Sequence, residues 1–172
     1  FMGKKPELTP GRREARHRRR RIIYNNDGNE LNAKGVNTPE AFHAARNDHL
    51  PGTNVDSMFY CTGGSTMFNH LTQVAETFGE SVTDDDLDWS VNVRDNIRAL
   101  AGAGHDVLAM AVEFCRRRDI EIFFSHRIND IHESLPTWAK EMTDWKREHP
   151  ACLMGRPGDY EKHGNHSPKA WW

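Results

Sequence analysis

Long apolar runs are missing from this chain: none approaches the roughly 20 residues that a membrane-crossing helix requires, and the mean hydropathy is −0.80. No transmembrane span is expected. Cysteine is scarce, and Cys61, Cys115 and Cys152 are odd in number and widely spaced, which fits neither a disulfide framework nor a CxxC metal knuckle. They read as free thiols. Residues 1–9 hold no apolar stretch followed by a small-residue cleavage site, so no secretory signal is visible. Phe1 precedes Met2, and the reading leaves export open.

What is present is charge, unevenly spread. Residues 1–21 carry nine Lys or Arg against two Glu, a net of +7, which leaves −9 for the rest of a chain whose formal charge is −2. The acidic remainder argues against an extended nucleic-acid surface. Residues 1–20 are expected to be a solvated or disordered basic leader, because like charges repel. The sharper reading, an anion-binding tail, lacks interleaved aromatics and any recognition-helix pattern. At 172 residues the chain fits one domain.

Beyond the leader, strand and helix signals alternate. Residues 21–24 are a short β-branched and aromatic run that stops at the turn formers Asn25-Asn26-Asp27-Gly28. Thr38 as cap and Pro39 at the first helical position start a helix over 39–47. A second strand is expected over 55–61. The spacing of Met67, Phe68, Leu71, Val74, Ala75 and Phe78 predicts a helix over 65–78. Further helices are expected over 89–100 and 105–118, a buried strand over 120–124, and a last helix over 135–148. Residues 151–172 read as loop. Three strands separated by helices indicate an α/β fold with a parallel sheet. Three strands do not close a barrel, so the expectation is the N-terminal portion of a larger one; a complete small α/β domain is the alternative.

In parallel α/β folds ligands bind outside the carboxyl ends of the strands. Three clusters follow those ends: Asn25, Asn26 and Asp27; then Tyr60, Cys61 and Thr62; then His126, Arg127, Asn129, Asp130, His132 and Glu133. The first is equally a plain turn sequence. In the third, Asn129 or Asp130 can serve as a helix cap and Arg127 as an ion-pair partner of Asp27. Cys61 has no signature of a nucleophile. Asn, Asp, His and Arg together offer donors and acceptors suited to sugar hydroxyls, and the five tryptophans offer stacking platforms. Glycoside hydrolysis needs two carboxyl groups about 5–10 Å apart. Asp27, Asp130 and Glu133 are the carboxylates able to approach one site, with Asp27 and Asp130 the catalytic candidates, but their spacing picks no pair.

The strings Arg19-Arg20-Arg21-Ile22-Ile23-Tyr24-Asn25-Asn26-Asp27-Gly28, Phe123-Phe124-Ser125-His126-Arg127-Ile128-Asn129-Asp130-Ile131-His132 and His166-Ser167-Pro168-Lys169-Ala170-Trp171-Trp172 resemble those of bacterial, planctomycete-type family-10-like glycosyl hydrolases. The resemblance covers nearly all of 18–172. It implies a (β/α)8 TIM barrel continuing past Trp172, with the acid/base and the nucleophile after strands four and seven, outside this chain. Asn26, Asp27, Arg127, Asn129, Asp130 and His132 are then substrate-positioning residues. His126 departs from the pattern, where an apolar or small residue is expected. The partner implied is a carbohydrate, and no cofactor or metal is called for. Two rivals stand beside this reading: a metal-dependent hydrolase such as a carbohydrate deacetylase, using Asp27, His126 and His132, and a non-catalytic sugar-binding domain.

Overall fold

A computed structural model of the chain describes residues 9–64, 67–127 and 142–153. Helices and a mostly parallel sheet make a mixed α/β fold. Strand β1 (Ile22–Asn26) and strand β5 (Glu121–Arg127) flank β2 (Val55–Gly64), each parallel to it. Two short strands, β3 (Met67–Phe68) and β4 (Glu76–Thr77), extend the sheet from the end of β2. No described helix is long and apolar enough to cross a membrane.

The crossovers are helical, as the periodicity predicts. Helix α2 (Pro39–Arg46) is capped by Thr38, whose hydroxyl accepts from the Ala41 amide. Helix α3 (Asp88–Gly102) ends on Gly102, with Ala103 as its C-cap, and Gly104 follows. Gly104 takes φ +82°, letting the His105 amide reach the Leu100 carbonyl at 2.9 Å and its own amide reach Ala101 at 2.9 Å. That paired closure favours a residue without Cβ at the left-handed position. Helix α4 (Val107–Arg116) is capped by Asp106. Phe42 of α2, Val93, Ile97 and Leu100 of α3, and Val107, Met110, Ala111 and Phe114 of α4 form one core with Met58 and Tyr60 of β2. Side chains alternate along a strand, so Tyr24, Met58 and Ile122, side by side in the register, join this core. The other face carries the half-exposed Ile23 and the stacked rings of Phe59 and Phe123, 4.8 Å apart.

Two segments depart from the sequence expectation, and the leader adds contacts of its own. Residues 65–78 are not helical where described: β3 folds back antiparallel on β2, with Gly63 opposite Phe68, and β4 follows. The supposed apolar stripe is not a buried face, since Leu71 is 58% and Val74 86% exposed. Asn69 instead donates its side-chain amide to the Cys61 carbonyl at 3.0 Å. Such side-chain to backbone bonds compete with helix formation. The described part of the leader, residues 9–20, is mostly exposed to solvent. Helix α1 (Pro10–Ala15) is capped by Thr9. Arg20 grips Glu121 through Nε and Nη2 at 2.6 and 2.8 Å. Arg21 holds Asp56 through its backbone amide at 2.7 Å and its guanidinium at 2.8 Å. Arg20 and Arg21 therefore fasten the amino end of the sheet, and the guanidinium of Arg20 also lies over the Phe123 ring. Finally, Thr143 caps α5 (Asp144–Glu148), so no helix runs through 143; the earlier part of the helix expected over 135–148 lies outside the described residues.

Candidate functional site

The carboxyl ends of β1, β2 and β5 meet at one edge of the sheet, and two different constellations occupy it. The first is exposed. Arg127, the last residue of β5, reaches across to Asp27, one residue past β1, with Nη2 and Oδ1 2.8 Å apart. Asn25 donates its side-chain amide to the same oxygen at 3.1 Å. The two charged side chains remain 42% and 44% exposed. They are reachable by a solute.

The second constellation is interior. Asn26 is fully buried, and its amide donates to Glu30 Oε1 at 2.6 Å and to Asn47 Oδ1 at 3.2 Å. Its own Oδ1 accepts the Gly28 amide at 2.9 Å, which fixes the turn. Gly28 sits at φ +70°, and a Cβ there would lie 2.3 Å from the Cys61 carbonyl oxygen and 2.7 Å from the Asn69 amide nitrogen. Only glycine fits so close an approach. Tyr60 is equally buried, and the nearest donor to its hydroxyl is the Asn69 amide at 3.5 Å. Burial pushes the Tyr60 phenol well above its ordinary value, and the nearby Glu30 carboxyl adds to the effect.

The structure thus divides the expected site residues. Asn25, Asp27 and Arg127 come together at the surface, and the sheet alternation turns Asn26 and Tyr60 the other way, into the helix layer. Cys61 is buried and donates to the Gly63 carbonyl at 3.4 Å. His126 is exposed and stacks on Phe68 at 4.9 Å, on the side of the sheet opposite Arg127. Asn129, Asp130, His132 and Glu133 lie outside the described residues. Among the described residues no group of three His, Cys, Asp or Glu is placed to hold a metal ion.

Sequence reasoning passed over Glu30, Asn47 and Asn69. Glu30 belongs to a 3-10 turn, Glu30–Asn32, and is 1% exposed. Its burial raises its pKa above the ordinary value, while hydrogen bonds and the Arg46 charge pull the other way. Glutamate in a turn ordinarily faces water. This one is drawn in because α3 grips the turn: Asn96 donates to the Leu31 and Ala33 carbonyls at 2.8 Å each, and Asn92 to the Asn32 carbonyl at 3.0 Å. The only trace in the sequence is the apolar Leu31 beside it. No protein-family model matches the chain, and no curated protein is significantly similar to it.

Proposed function

We propose that the exposed Asn25, Asp27 and Arg127 cluster is a carbohydrate-holding surface, and that the chain is part of a glycoside-hydrolase-like α/β protein with the catalytic carboxyl pair supplied from elsewhere in the barrel. The supporting observation is the Asp27–Arg127 pair, which bridges the carboxyl ends of β1 and β5 while staying open to solvent. A guanidinium, a carboxylate and an amide bonded to one another at the surface offer both donors and acceptors to adjacent hydroxyls. Asp27 takes a holding role in this reading, because its Oδ1 already accepts from two donors. The resemblance of residues 18–172 to family-10-like glycosyl hydrolases supplies the substrate class.

Affinity electrophoresis of the chain in gels containing single soluble polysaccharides tests the proposal. Retardation by at least one polymer is expected, weakened about tenfold or more by Arg127→Ala and Asp27→Ala, the equivalent of roughly 1.4 kcal/mol. Full retardation of both variants, or none for the native chain on any polymer, overturns it. Stoichiometric zinc that is lost in Asp27→Ala would move the cluster to the metal-dependent hydrolase reading.

A further inference from the structure

One group at the carboxyl end of the sheet takes no part in the proposed surface and has an unusual environment. Glu30 Oε1 accepts from Asn26, but Oε2 is buried and has no hydrogen-bond partner. It is the only such buried side-chain atom among the described residues. A carboxylate carries two acceptor oxygens with about four lone-pair sites, and an ionised one left half-satisfied in the interior is costly. A neutral carboxylic acid in the same place carries no net charge to desolvate. We propose that Glu30 is a proton-holding latch: as the neutral acid it keeps Asn26 and the Gly28 turn in place, and its ionisation releases the segment that carries Asn25 and Asp27.

The connection from Glu30 to the surface is short and continuous. Glu30 orients the Asn26 amide, the Asn26 carbonyl oxygen holds the Gly28 amide, and Asn25 and Asp27 flank Asn26 in the chain. The turn cannot simply swing out to hydrate an ionised Glu30, because the Asn92 and Asn96 bonds pin it to α3. Relief of a buried charge must come from the β1 side. The titratable and charged neighbours come from each packed element. Arg46 of α2 favours ionisation by its charge. His43 of the same helix lies one step away through Asn47, and burial lowers its own pKa. Tyr24 of β1 and Tyr60 of β2 are both raised by their burial, with Glu30 contributing. Of the two arginines of α3, Arg94 is engaged with Asp84, Asp95 and the Val82 carbonyl, and Arg98 is exposed. Burial is the largest cause and outweighs the hydrogen bonds from the Glu30 backbone amide and from Asn26 and the Arg46 charge, all of which favour ionisation.

The latch does not depend on carbohydrate binding, so its test uses no ligand. A carboxyl pKa raised by folding means that stability is fully present below the unfolded value and is lost as pH rises through the folded one. Thermal melts of the native chain and Glu30→Gln, a neutral near-isostere, are compared from about pH 4 to about pH 8, together with exchange of the Gly28 amide. The melting temperature of the native chain should fall relative to Glu30→Gln as pH rises above the ordinary carboxyl range, and its Gly28 amide should lose protection over the same window. A difference independent of pH, or equal Gly28 protection throughout, overturns the proposal. Should Glu30→Gln fail to fold, the carbon-13 titration of the Glu30 carboxyl in the native chain decides: a midpoint above the ordinary glutamate value supports the latch, and an ordinary midpoint overturns it.

Discussion

The two ends of the parallel sheet handle charge in opposite ways. At the amino end, two carboxylates are each met by a guanidinium: Glu121 by Arg20 and Asp56 by Arg21. Both are held below the ordinary carboxylate range, first of all by those side-chain hydrogen bonds. At the carboxyl end the polar groups are not balanced. Asp27 and Arg127 form a pair that is almost half exposed, and Glu30 is buried with one oxygen unpartnered. The amino end ties residues 20 and 21 to β5 and β2, while the carboxyl end leaves one ion pair open to solvent and one buried carboxyl oxygen without a partner. The two ends also respond to pH with opposite signs. The Glu121 contribution is present above the unfolded carboxyl value and lost as pH falls through the folded one, whereas the Glu30 contribution is lost as pH rises.

The sharpest way to break the carboxyl end is Gly28→Ala. The added Cβ collides with the Cys61 carbonyl oxygen at 2.3 Å in a left-handed backbone, and the combined strain and overpacking should cost about 3–4 kcal/mol by urea denaturation. A cost below about 1 kcal/mol would show that the turn is not built on that close approach. Asn26→Ala comes next, because it leaves both Glu30 Oε1 and the Gly28 amide without their partner. A loss of about 2–3 kcal/mol is expected, against almost none for the exposed neighbour Asn25→Ala; equal losses would erase the contrast between the buried and exposed constellations. At the amino end, Glu121→Gln should cost about 1 kcal/mol near neutral pH and flatten the acid limb of the stability curve, leaving the neutral limb that Glu30 shapes. An unchanged acid limb would separate Glu121 from the pH response. Smallest is Arg127→Ala, which should change stability by less than about 1 kcal/mol, as exposed ion pairs do. A larger loss in the same denaturation measurement would make the Asp27–Arg127 pair a structural clamp rather than an open surface.

The elements that were legible in the sequence are those whose signal is local. Thr38-Pro39 marked the start of α2, and the stripe of Val107, Ala111 and Cys115 marked α4. The apolar run ending at Phe124 marked β5, which extends three residues further, through Arg127. Residues 65–78 misled because their apolar spacing matched a helix, while the deciding interactions were with the end of β2 just before them: the return of Phe68 onto Gly63 and the capture of Asn69 by the Cys61 carbonyl. The partners of Arg20 and Arg21 at the end of the arginine run were hidden for a related reason. Like charges predict a solvated tail unless opposite charges arrive from far along the chain, and Glu121 lies 101 residues from Arg20. Of the candidate site, the placement of Asn25, Asp27 and Arg127 at strand ends was readable, and an Asp27–Arg127 pair was one of the alternatives considered. The burial of Asn26, Glu30 and Tyr60 was not.

By itself, the sequence determined the alternation of strands and helices and the location of polar residues after the strands, since periodicity, caps and turn formers act within a few residues. Tertiary structure alone decided which of those polar residues face water. In a strand, adjacent side chains point to opposite faces, so Asn25 and Asn26 look alike in sequence and separate only when α2 and α3 cover one side of the sheet. The same covering carries the carboxyl of Glu30 into the interior, where burial and an unpartnered oxygen favour a proton that no local pattern could announce.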